Sequence, residues 1–133
     1  MGVKRRILFV DDDAGLLLGL ELSLRQDRQR WEMVFALGGQ RGLEEARKAP
    51  FDVVVSDMGM PGIDGVALLR AIKKEHPATV IMMLSGQADT RVLRDLPQLH
   101  RLLNKPCAAA TLRDAIERSL ASTSIAPAHE ESS

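Results

Sequence analysis

Apolar residues gather in five short runs, Ile7–Val10, Met33–Leu37, Val53–Val55, Val80–Leu84 and Leu102–Leu103, separated by stretches long enough to hold a helix. That spacing predicts five repeats of strand then helix. At least three of the runs are continuously apolar instead of alternating, as strands are when helices cover both faces of a parallel sheet. The pattern predicts a doubly wound α/β fold around a five-stranded parallel sheet.

The segments between the runs agree. Leu16, Leu17, Leu20 and Leu24 recur at helical spacing, as do Leu43 and Ala46, then Val66, Leu69 and Ile72, and finally Leu112, Ile116 and Leu120. Pro97 lacks an amide donor and crowds the turn before it, leaving only Thr90 to Asp95 for the fourth helix, which is expected to be short or irregular. From Ser122 to Ser133 the side chains are too small and polar to bury, so residues 4–121 read as one domain and 122–133 as a flexible tail or linker stub.

Composition narrows the function. The 133 residues carry 18 basic and 18 acidic side chains, so no global field draws the chain to nucleic acid or an anionic membrane. Any chemistry must sit in a local site. The single cysteine, Cys107, fits a reducing compartment and reads as a packing residue. The apolar run after Lys4-Arg5-Arg6 is too short for a signal peptide, Arg6 stands where a myristoylation motif beginning at Gly2 wants serine or threonine, and no stretch is long enough to span a bilayer.

In open parallel sheets ligands bind at the carboxyl ends of the strands. Reading on from each run places Asp11, Asp12 and Asp13 after the first, Asp57 after the third, Ser85 after the fourth and Lys105 after the fifth. Singly, aspartate and serine cap helices and lysine is solvated. Together, crowded carboxylates repel unless a cation is present, and a hard divalent ion held by oxygens is the natural remedy. Mg2+ leaves room for a phosphate oxygen, and Lys105 supplies a second positive partner.

Val10-Asp11-Asp12-Asp13, the stretch Asp57-Met58-Gly59-Met60-Pro61-Gly62-Ile63-Asp64-Gly65, Leu84-Ser85-Gly86 and Asn104-Lys105-Pro106 resemble, in order, the motifs of bacterial response-regulator receiver domains of the CheY-like superfamily. The resemblance covers residues 4–121. It implies that Asp57 accepts a phosphoryl group from the phosphohistidine of a sensor histidine kinase or phosphotransfer protein. Asp12 and Asp57 would bind Mg2+ directly, Asp11 through water, and the Gly59 carbonyl would complete the protein ligands. Lys105 would pair with a phosphate oxygen, while the Ser85 hydroxyl would move toward another and carry its loop with it. Lys105-Pro106 would be a cis peptide.

The same resemblance implies a cytoplasmic signalling domain, not an enzyme, that controls a partner or an output domain beyond residue 122. A second copy of the chain is a further candidate partner, and direct contact with nucleic acid or membrane is not expected. Three departures stand out. Leu102 occupies the position where the family usually has an aromatic switch residue, the interval from Ser85 to Lys105 is short, and it lacks the customary Ala-Gly-Ala. Gly86-Gln87-Ala88-Asp89 and Pro106-Cys107 resemble variants found in receivers joined to phosphodiesterase-like outputs.

Two rival readings differ in class. Phe9-Val10-Asp11-Asp12-Asp13 also resembles the opening of haloacid-dehalogenase-type phosphatases, with Asp11 as nucleophile and Asp13 as general acid. That chain would be short for its class, and the idea leaves residues 57–65 unexplained. The other rival is a receiver-like scaffold that no longer takes phosphate. His76, His100 and His129 lack metal-ligand spacing and read as surface residues. Asp13 and Asp64 read as helix caps. Trp31 reads as half-buried core, and Arg25, Arg28 and Arg30 as a solvated helix end.

Overall fold

The computed structural model describes residues 4–86 and 91–125, with side chains as far as Ser122. Five strands, β1 (Arg5–Asp11), β2 (Trp31–Leu37), β3 (Val53–Asp57), β4 (Val80–Ser85) and β5 (Arg101–Asn104), alternate with helices α1 (Ala14–Ser23), α2 (Gly39–Lys48), α3 (Gly65–Glu75), α4 (Arg91–Asp95) and α5 (Ala109–Ile125). All strand pairs are parallel and the sheet order is β2-β1-β3-β4-β5.

The continuous apolar runs are the central strands, and alternate residues of each feed opposite cores. Ile7, Phe9, Val53, Val55, Met82 and Leu84 pack beneath α1 and α5 with Leu17, Leu112 and Ile116. Leu8, Val10, Val54, Ile81 and Met83 pack on the other face with Leu43, Leu68, Leu69 and Ile72 of α2 and α3. The buried stretch of each central strand therefore presents apolar residues to both faces. No described helix is long and apolar enough to cross a membrane.

Local chemistry fixes where the helices begin. Asp13 caps α1 by accepting from the Leu16 amide, and Asp64 caps α3 by accepting from Ala67. Gly62, with φ at 77°, makes the left-handed turn before α3 that a side chain would resist. The described part of α4 is one short turn that nonetheless buries Val92 and, just beyond it, Leu96. Gln87–Thr90 lie outside the described residues, as do His129 and the rest of 126–133.

Some expectations need adjusting. The helix α5 runs to Ile125, so the backbone of 122–125 is helical where composition suggests a tail. Trp31 is 3% exposed, fully buried instead of half-buried, because it starts β2 beneath α5 and Arg30 lies over its ring. The segment Arg25–Gln29 is a 3-10 turn, and its Asp27 is buried between Arg30 and Arg113. It is anchored to α5, not merely a solvated end.

Candidate functional site

The polar residues gather where the sheet reverses its winding. β1 and β3 are neighbours although β2 intervenes in sequence, and the helices that follow them go to opposite faces. Side chains at these two strand ends meet in the resulting crevice. Asp11 closes β1, Asp57 closes β3, Ser85 closes β4 and Lys105 follows β5.

Backbone hydrogen bonds tie these ends in place. The Gly38 amide donates to the Asp11 carbonyl at 2.8 Å, Met58 to Leu84 at 3.0 Å, and Lys105 to Ser85 at 2.8 Å. The start of α3 presses on the same edge, for the Gly65 amide donates to the Met58 carbonyl at 2.9 Å. A Cβ at Gly65 would overlap the Asp57 carbonyl oxygen, so only glycine permits this approach.

Asp11, Asp12 and Asp57 each offer a carboxylate oxygen, and the three lie within 4.8 Å of one another. Asp11 and Asp57 are buried, while Asp12 is exposed. Lys105 Nζ stands 3.0 Å from Asp11 Oδ2 and 2.9 Å from Asp57 Oδ1. Burial lifts the Asp11 carboxyl above the ordinary carboxylate range; the hydrogen bonds from Lys105 and from the Asp13 amide oppose the shift, and the charge of Asp57 adds to it. Burial alone would favour neutral Lys105, but hydrogen bonds to Asp57 and Asp11 outweigh it and hold the ammonium charged beyond its usual range.

Three carboxylates facing one ammonium leave an excess of two negative charges. An oxygen-only donor set with that excess fits a hard divalent cation such as Mg2+, and the exposed Asp12 leaves the site open to the waters that ion retains. The residues present therefore suit the metal.

The other residues singled out from sequence fall around this centre. Gly59 is exposed in the loop between β3 and α3. Lys105-Pro106 is a cis peptide bond. Ser85 is 2% exposed, and its hydroxyl donates to Met58 Sδ at 3.3 Å. Leu102 is half-buried on β5 and packs on the α2–α3 face of the sheet, away from the carboxylates. Asp13 spends its carboxylate on the Leu16 amide at 3.1 Å, capping its own helix. Met58 is the residue that sequence reasoning passes over; its place beside Ser85 follows from the pairing of β3 with β4, which sets Asp57 opposite Leu84.

An apolar cleft of about 550 Å³ runs between α1 and the start of α5, lined by Leu16, Leu20, Cys107 and Leu112, and it shares Lys105 with the acidic site.

Comparison with known proteins agrees with this geometry. The family model of the response regulator receiver domain matches residues 7–117. The chain is 32% identical over 127 residues to the transcriptional regulatory protein GlrR of Escherichia coli K12, covering 94% of this chain and 28% of that protein. It is 38% identical over 81 residues to the transcriptional activator protein PfeR of Pseudomonas aeruginosa, covering 61% of this chain and 26% of the relative. It thus spans little more than a quarter of either relative. Among solved structures, a response regulator receiver domain protein from Clostridium thermocellum superposes with a TM-score of 0.80 at 29% identity, over 90% of this chain and 97% of that one.

Proposed function

The chain belongs to the response regulator receiver domain family of two-component signalling, and from that premise we propose that Asp57 is its phosphoryl acceptor, working in the cytoplasm with Mg2+ held by Asp11, Asp12, Asp57 and the Gly59 carbonyl. The donor in this reading is the phosphohistidine of a sensor histidine kinase or phosphotransfer protein. One oxygen of the Asp57 carboxylate attacks phosphorus, the bond from phosphorus to the histidine nitrogen breaks, and its electron pair returns to the imidazole. An acyl phosphate on Asp57 results.

The convergence of three carboxylates within 4.8 Å beside a lysine that bridges two of them carries this reading. Mg2+ bound there supplies the charge that lets a dianion approach a carboxylate. Lys105 then follows the charge: its ammonium, now shared by Asp11 and Asp57, turns to a phosphoryl oxygen. The Ser85 hydroxyl meets another oxygen, and its movement biases the loop after β4 toward the state that an output domain or partner reads. The cleft between α1 and α5, which Lys105 also lines, offers the donor protein a surface next to the acceptor.

The phosphatase alternative needs Asp13 free as a general acid, whereas Asp13 caps α1. The decisive experiment is intact mass after incubation with Mg2+ and acetyl phosphate. The native chain should gain one phosphoryl mass that disappears when Mg2+ is removed or when Asp57 is replaced in Asp57→Asn. A native chain that stays unmodified would instead be a scaffold acting only through protein contacts.

A further inference from the structure

Met58 follows Asp57 directly, and its backbone is held from both sides: its amide donates to the Leu84 carbonyl at 3.0 Å, and its carbonyl accepts from Gly65 at 2.9 Å. The side chain is half-buried against the α2–α3 core, and Sδ accepts the Ser85 hydroxyl at 3.3 Å. A thioether is a weak acceptor. The bond from the Ser85 hydroxyl to this sulfur is therefore a weak one, and a charged oxygen within reach is the stronger acceptor.

We propose that Met58 is a positioning residue for the switch: its thioether holds the Ser85 hydroxyl in the unphosphorylated state and so sets how readily that hydroxyl swings to a phosphoryl oxygen on Asp57. The inference rests on the assignment of Ser85 as the hydroxyl that meets the phosphoryl group. Its physical content is a competition between the Met58 sulfur and a phosphoryl oxygen for the Ser85 hydroxyl. Whatever weakens the Met58 acceptor favours the phosphoryl-facing state, and whatever strengthens it opposes that state.

Two substitutions of similar length test the competition in opposite directions. Met58→Leu keeps the volume and removes the acceptor, a change that packed cores tolerate. Met58→Gln replaces the sulfur by an amide whose oxygen is a stronger acceptor. Affinity for beryllofluoride, a mimic of the bound phosphoryl group, is measured by calorimetry on the full chain with saturating Mg2+. Met58→Leu should tighten binding about twofold to fivefold and Met58→Gln should weaken it by a similar factor, the range expected of one weak hydrogen bond.

The same pair is then measured in a Ser85→Ala background, where both shifts should vanish because the shared donor is gone. Shifts that persist without the Ser85 hydroxyl, or that are absent with it, overturn the role given to Met58 while leaving phosphorylation of Asp57 standing. If the native chain neither binds beryllofluoride nor gains phosphoryl mass, the reading of the site falls, and the role of Met58 with it.

Discussion

Lys105 Nζ sits almost midway between two buried carboxylates, 2.9 Å from Asp57 Oδ1 and 3.0 Å from Asp11 Oδ2. In the metal-free protein this ammonium offsets the repulsion between the ends of β1 and β3. Lys105→Met should therefore cost stability in Mg2+-free buffer. The lysine is partly exposed and its partners are buried, so the loss should fall between that of a surface pair and a buried one, about 2 kcal/mol. Saturating Mg2+ should recover much of it, as read by urea melts with and without the ion. Equal stability of native and variant chains without metal would contradict this role. Because the Lys105 pKa is raised on folding, its contribution is complete at neutral pH and is lost only as the solution becomes strongly alkaline.

Asp11 gives the acid side of the same balance. Its pKa is raised chiefly by burial, so the folded protein binds this proton more readily than the unfolded chain does. By linkage, the contribution of Asp11 to stability is complete below the pKa of the unfolded chain and is lost as pH rises through the raised value. Mg2+ bound in the proposed site would compete with the proton for the carboxylates. At pH 7, Mg2+ at a hundred times its Kd should stabilise the fold by about 2.7 kcal/mol. The stabilisation should shrink as pH is lowered toward the titration of Asp11. Thermal melts over a pH series check this, and an undiminished Mg2+ shift at acid pH would count against the three-carboxylate site.

The residues of the acidic site were readable from sequence because strand ends are readable. An apolar run that breaks into Asp11 or Asp57 marks both the strand and the residue at its tip, and sheet topology brings those tips together without further information. What escaped depends on distant partners. The burial of Asp27 requires Arg113, 86 positions later, and the contact between Met58 and Ser85 requires the register of β3 on β4. The end of α5 escaped for another reason. Ser122, Thr123 and Ser124 lack the apolar stripe that signals a helix, yet the turns before them, anchored by Ile116 and Leu120, carry the backbone on to Ile125.

Of two glycines near Asp57, one should resist a methyl group and the other accept it. At Gly65 the added carbon would overlap the Asp57 carbonyl oxygen, and backbone cannot give way as a side-chain tip can. Gly65→Ala should destabilise by about 1–3 kcal/mol and slow acetyl phosphate labelling by shifting the end of β3. At Gly59 nothing lies within 4 Å, and the residue is not in a left-handed conformation. Gly59→Ala should leave stability and Mg2+ binding close to native, because the backbone carbonyl proposed as a ligand survives the substitution. Loss of Mg2+ affinity in Gly59→Ala, with the fold intact by circular dichroism, would show that this position does more than offer its backbone.

Asp27 takes no part in the acidic site and should separate stability from switching. It is 7% exposed; Arg113 Nε donates to Oδ2 at 3.0 Å and Arg30 reaches Oδ1 at 2.8 Å, while Arg30 also bridges to Glu117 and covers Trp31. The carboxylate thereby pins the turn after α1 to α5 beneath the start of β2. Asp27→Ala removes the anion the two arginines share, leaving Arg30 on Glu117 and Arg113 on the Ser23 carbonyl. Both arginines are partly exposed, so the loss should fall between that of a surface pair and a buried one, about 2 kcal/mol by urea denaturation. The rate and extent of Asp57 labelling by acetyl phosphate, measured well below the melting temperature, should remain near native, since none of these contacts reaches Asp11, Asp12 or Lys105. A fully folded Asp27→Ala variant with impaired labelling would mean that the packing of α1 on α5 communicates with the carboxylates.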